Sequence, residues 1–102
     1  MKNKIKIIIT LFVLATHQLF AGTIKVVTTL QDLKSITELI GGNKVEVFSI
    51  ATGYQNPHFV DPKPSYIIKL STADVFVTIC LDLETGWSPS LLSSSRNTKV
   101  QR

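Results

Sequence analysis

The spacing of hydrophobic positions changes period repeatedly along this chain, and each change marks an element. Thr23-Ile24-Lys25-Val26-Val27-Thr28-Thr29 is rich in β-branched residues and predicts a strand. From Leu30 to Ile40 the period lengthens. Leu33, Ile36, Leu39 and Ile40 recur at helical spacing, while Lys34 and Glu38, four apart, share another face. Gly41-Gly42 ends that helix, because glycine accepts the left-handed backbone of a helix terminus. Lys44 to Ile50 alternates polar and apolar residues and predicts a second strand.

Ala51 to Pro62 is a loop carrying Gly53, Asn56, Pro57 and Pro62. Pro64 then suits the first position of a helix, where its missing N–H is not needed, and Tyr66, Ile67, Leu70 and Ala73 continue it to near Asp74. Val75-Phe76-Val77-Thr78-Ile79 is a near-continuous apolar run, expected of a strand covered on both faces. Ser88-Pro89 reads as the cap and first position of a further helix holding Leu91 and Leu92, and Asn97 to Gln101 as the start of a fourth strand. The order β-α-β-loop-α-β-α-β predicts an α/β fold, a partial parallel β-sheet flanked by helices with right-handed crossovers. Loops that follow parallel strands gather at one edge, and ligands are held there.

The first residues follow a different rule. Lys2, Lys4 and Lys6 form a positive segment without any acid, Ile5 to Ala15 is apolar except for Lys6 and Thr10, and Phe20-Ala21-Gly22 offers a small residue for cleavage. These are the marks of a secretory signal peptide over residues 1–21, cleaved near Ala21. A membrane span needs about 20 apolar residues, which this run does not reach, so the chain is not expected to be membrane-embedded. Removing the first 21 of 102 residues leaves 81, enough for one modest core over residues 22–102. The formal charge of +4 goes largely with that segment, which holds three of the 11 Lys and Arg. The remainder has no basic cluster, so no nucleic-acid partner is implied. Cys80 is the only cysteine; no disulfide can form within the chain, and none stands at the leader boundary to take a lipid. Export to the periplasm, as a monomer, is the expectation.

Candidate chemistry concentrates in Pro57-His58-Phe59-Val60-Asp61-Pro62, between the second strand and the following helix. Imidazole is the commonest ligand of transition metals, and His58 stands at the ligand-holding edge of the sheet. Pro57 and Pro62 stiffen its flanks and reduce the entropy lost on closing around an ion. One histidine without a recognised ligand pattern equally fits a solvated or helix-capping loop residue, and spacing alone leaves both readings open. Asp61, Asp82 and Glu84 are local candidates for further ligands, each also readable as a cap, an outer group or surface. Cys80 reads as a buried, inert thiol after an apolar strand. Trp87 is expected in the core against the last helix, and Tyr54 as a shield over the histidine loop. The chain holds no Gly-rich phosphate loop, nucleophile–base pair or meaningful carboxylate pair, so an enzyme reading has no residue to stand on.

From Val26 to Gln101 the chain resembles the beginning of the zinc/manganese solute-binding proteins of bacterial ABC importers. The resemblance is carried by Val26-Val27-Thr28-Thr29, Ile40-Gly41-Gly42, Val45-Glu46-Val47, Pro57-His58, and Pro64-Ser65 with Leu70 and Ala73-Asp74. Leu81-Asp82-Leu83-Glu84 with Gly86-Trp87, and Arg96-Asn97, extend it. It implies an exported receptor that binds a transition-metal ion between two α/β lobes and delivers it to a membrane permease. Its implied cargo is Zn2+ (or Mn2+), with no organic cofactor. It makes His58 the first metal ligand, with further histidines and an acidic residue supplied by the rest of the first lobe and by a second lobe. It also sets a small residue, often glycine, where Cys80 stands, so that the thiol would strain its turn. Family members are far longer, and this chain reads as an incomplete N-terminal lobe, a fragment that would bind metal weakly. More imidazole in the missing set would favour zinc, more carboxylate manganese. The competing readings are a small secreted α/β interaction module and a non-functional remnant.

Overall fold

The computed structural model describes residues 2–19 and 22–101, the side chains of residues 13–19 excepted. The proposed cleavage point at Phe20-Ala21 lies outside the described residues. Its elements, in order, are α1 (Lys2–Leu19), β1 (Ile24–Thr28), α2 (Gln31–Gly41), a single 3₁₀ turn (Gly42–Lys44), β2 (Val45–Ser49), α3 (Pro64–Ser71), β3 (Val75–Val77) and α4 (Ser88–Ser95). Among the described residues no helix is long and apolar enough to cross a membrane.

The three strands form one parallel sheet in the order β2-β1-β3. Register sets Val27 beside Phe48 on one side and Phe76 on the other, and side chains level with one another share a face. That row meets α3 and α4, where Ile50, Val60, Tyr66, Leu70, Trp87 and Leu91 close a single core. The other face carries Val26 and Val47, and α2 packs against β1 and β2.

Two glycines decide how α2 sits. Gly42 has φ +54°, a conformation that side chains with a Cβ rarely adopt, and it breaks the helix. Gly41 lies so close to β2 that a Cβ would fall 2.5 Å from both γ-carbons of Val45. This contact turns the line Leu33–Thr37–Gly41 toward the sheet. The apolar spacing of Leu33, Ile36, Leu39 and Ile40 predicts a core-facing stripe, but only Leu33 is half-buried there. Leu39 and Ile40 are 86% and 81% exposed. Lys34 and Glu38 do pair along the helix, at 3.7 Å.

Three further expectations change. β3 is an edge strand rather than one covered on both faces: Val75 is exposed, and Phe76 and Val77 are half-buried. Asn97 to Gln101 forms a turn, not a fourth strand. Asn97 is drawn inward because its side-chain amide donates to the carbonyls of Leu70 and Ala73, both at 2.7 Å, satisfying acceptors at the end of α3. In α4 the capping position falls on Trp87, so that Ser88 and Pro89 are already the first two helical residues.

Candidate metal centre

Parallel pairing brings the carboxyl ends of β1, β2 and β3 to one rim, and backbone bonds extend the ladder past the strands. Ile50 and Ala51 donate to the carbonyls of Thr28 and Thr29 at 2.9 Å each, and Thr29 donates to Val77 at 3.1 Å. The histidine loop after β2 and the turn after β3 therefore leave the sheet side by side. Ile50 and Ala51 bury the loop's ascending limb and Val60 its descending limb. Between these anchors most of the loop is exposed, and Tyr54 fully so; it shields nothing.

Two tight turns shape the exposed part. Gln55 donates its N–H to Thr52 O at 3.1 Å, and Phe59 to Asn56 O at 3.0 Å. Within the second turn, the Asn56 side-chain oxygen lies 3.0 Å from the His58 peptide nitrogen and 3.2 Å from its ring Nδ1. The imidazole is exposed, with the Phe59 ring 6.4 Å away between centroids. Trp87, buried in the core, donates its indole N–H to Pro57 O at 2.8 Å across 30 residues. A shallow open concavity results, lined by His58, Phe59, Val60, Asp61, Gly86 and Trp87.

The sequence candidates separate here. Asp61 is exposed beside His58 in that concavity and does not cap α3, whose capping position falls on Lys63 and makes no side-chain bond. Asp82 is exposed. Glu84 is 3% exposed and fully engaged: it accepts from the Thr29 hydroxyl, from the Ile79 N–H at 3.0 Å and from the Cys80 N–H at 3.1 Å. Its carboxylate fixes the turn from inside, because three donors together offset the cost of burying its charge. Its own carbonyl accepts from Trp87 at 3.2 Å and Ser88 at 2.9 Å, which starts α4. Cys80 is exposed, not buried, with φ +65° and its Sγ 2.7 Å from the Thr78 hydroxyl. The expected strain in its turn is present, since this backbone conformation suits glycine. Among the described residues no group of three or more His, Cys, Asp or Glu is gathered closely enough to hold a metal. Sequence reasoning missed the Asn56 contact and the Trp87–Pro57 bond. Asn56 is only two residues from His58 and could have been suspected as a local partner; the indole bond leaves no sequence signal.

Residues 26–102 match the family described as ZnuA, zinc-uptake complex component A, periplasmic. The metal ABC transporter substrate-binding lipoprotein FimA of Streptococcus parasanguinis is 35% identical over 82 residues, 78% of this chain and 26% of that protein. The manganese ABC transporter substrate-binding lipoprotein PsaA of Streptococcus pneumoniae is 37% identical over 79 residues, 74% of this chain and again 26% of the relative. Among solved structures, Zn(II)-bound AdcA from Streptococcus pneumoniae superposes with a TM-score of 0.63 at 29% identity, covering 78% of this chain and 17% of that one. The chain thus spans about a quarter of the length of the curated relatives it matches.

Proposed function

Because the chain belongs to the ZnuA family of periplasmic zinc-uptake components, we propose that it serves as the substrate-binding part of an ABC importer for a transition-metal ion. His58 contributes one imidazole to the ion. Residues 1–21 act as an export signal and residues 22–102 as part of the N-terminal α/β lobe, working outside the cytoplasm, with the receptor passing the ion to a membrane permease. Zinc is the preferred cargo and manganese the runner-up, a choice made by ligands that the rest of this lobe and the second lobe contribute. No covalent bond is made or broken; capture replaces the ion's water shell with protein donors.

The observation that carries this reading is the exposed His58 ring at the carboxyl rim of the sheet, on a loop braced from beneath by Trp87. Exposure excludes a core histidine, and the competing reading of a merely solvated loop residue is separated from a ligand by metal binding itself. Zinc titration of the full chain by calorimetry, with His58→Ala as control, tests the assignment. The expected result is weak binding that the substitution abolishes, since a closed zinc site wants about four ligands. Equal binding by the two proteins would remove His58 from the site.

A further inference from the structure

We propose that Asn56 is a positioning residue for His58: it holds the neutral imidazole in its Nδ1–H tautomer and so presents Nε2 to the cargo ion. The inference rests on the reading of His58 as a ligand. Its evidence is the pair of contacts made by one amide atom, 3.0 Å from the His58 peptide nitrogen and 3.2 Å from Nδ1.

The chemistry of those contacts leaves one assignment. A peptide N–H can only donate, so the Asn56 atom facing it is the oxygen and not the NH₂ group. An amide oxygen can only accept, so the ring nitrogen facing the same atom must carry its proton. In neutral imidazole this leaves the lone pair on Nε2, the other nitrogen of the ring. Partners that fix the tautomer of a ligating histidine in this way are a general feature of metal sites. The backbone around the pair is also held: Phe59 N–H closes the turn onto Asn56 O, and Pro57 O is tied to Trp87. Asn56 is thus both part of the turn and the ring's only hydrogen-bond partner among the described residues.

A purely turn-forming role would leave the ring's tautomer unchanged on substitution, and this separates the two. The full 102-residue chain, labelled with ¹⁵N in its imidazoles, is compared with Asn56→Ala and Asn56→Asp at alkaline pH, where imidazoles are neutral. His58→Ala assigns the signals. Wild type is expected in the Nδ1–H form. Asn56→Ala should shift the tautomer ratio toward Nε2–H by about two- to tenfold, the range of one ordinary hydrogen bond. Asn56→Asp, whose carboxylate also accepts, should keep the wild-type tautomer; rescue is read there and not in affinity, because the added charge attracts cations by itself. With zinc, the wild-type Nε2 resonance should move, and the Kd of Asn56→Ala should rise by no more than the tautomer factor, since only the competent fraction changes. A wild-type ring in the Nε2–H form, or an Asn56→Ala ring unchanged from wild type, overturns the proposal while leaving His58 free to be a ligand. The expected tautomer shift with zinc moving neither ring would instead overturn the ligand reading, and with it the ion-directed half of this inference.

Discussion

Replacing Trp87 with phenylalanine deletes one donor and keeps most of the buried ring. The indole N–H to Pro57 O bond, 2.8 Å long and partly buried, is the lost contact. An intramolecular hydrogen bond of this kind contributes about 0.5–1.5 kcal/mol net. Trp87 is 4% exposed, so the vacated part of the indole adds about 1 kcal/mol of lost burial. The sum, about 2 kcal/mol, is a substantial share of the roughly 4–12 kcal/mol expected of a fold of about 80 residues. It corresponds to a fall in Tm of about 8–16 °C. Full truncation, Trp87→Ala, should cost about 3–5 kcal/mol, a larger share of the same total. Urea unfolding followed by far-UV circular dichroism measures the loss. Amide exchange locates it: protection at His58 and Phe59 should fall further than protection in β1, because the loop loses its brace while the sheet keeps its ladder. A Trp87→Phe protein within 0.5 kcal/mol of wild type by that measurement, with loop protection unchanged, would refute the claim that the indole braces the histidine loop.

Leu70→Ala should destabilise by about 2–5 kcal/mol, because the side chain is completely buried at the centre of the core, and the urea midpoint reports it. Gly41→Ala should destabilise by about 1–3 kcal/mol and lower the same midpoint, since the new methyl meets the stiff Val45 side chain at 2.5 Å. Cys80→Gly should stabilise by about 0.5–1 kcal/mol: relief of the φ +65° backbone outweighs the entropy that glycine adds to the unfolded chain, and Tm should rise. The carboxyl of Asp74 lies below its usual value of 3.8, first because the Lys25 backbone N–H donates to it, then because Lys99 does. A depressed carboxylate stabilises the fold above its unfolded pKa, and that contribution disappears as pH falls below 3.8 through the still lower folded value. The stability difference between wild type and Asp74→Asn should therefore be flat at neutral pH and shrink below 3.8 in acid unfolding curves.

Much of the fold was legible in the sequence because its signals are local. β-branched runs, Pro64 at a helix start and Gly41-Gly42 at a helix end each act within a few residues, and the elements they predict lie where they were expected. What could not be read depends on neighbours distant in the chain. The apolar stripe of α2 has the right period, but the rotation of the helix is set by the fit of Gly41 against Val45. Asn97 to Gln101 reads as a strand from the order of elements, yet Asn97 finds a better use for its amide against the end of α3, 24 and 27 residues earlier. Cys80 follows an apolar run and so reads as buried; it is instead exposed, in a turn at φ +65°. Glu84 reads as a solvated or metal-facing acid because nothing near it announces the Thr29 hydroxyl, 55 residues away. At the rim, the place of His58 follows from the order of elements, whereas the support beneath it comes from Trp87 and became visible only in three dimensions.

That support gives the chain an optical reporter of its own. Trp87 is the sole tryptophan, so all indole emission comes from a ring whose N–H is bonded to the residue preceding His58. Any event that pulls the loop from its seat breaks that bond and admits water to the indole. The loop can therefore be followed by the wavelength and intensity of intrinsic fluorescence, without a dye and without altering a residue.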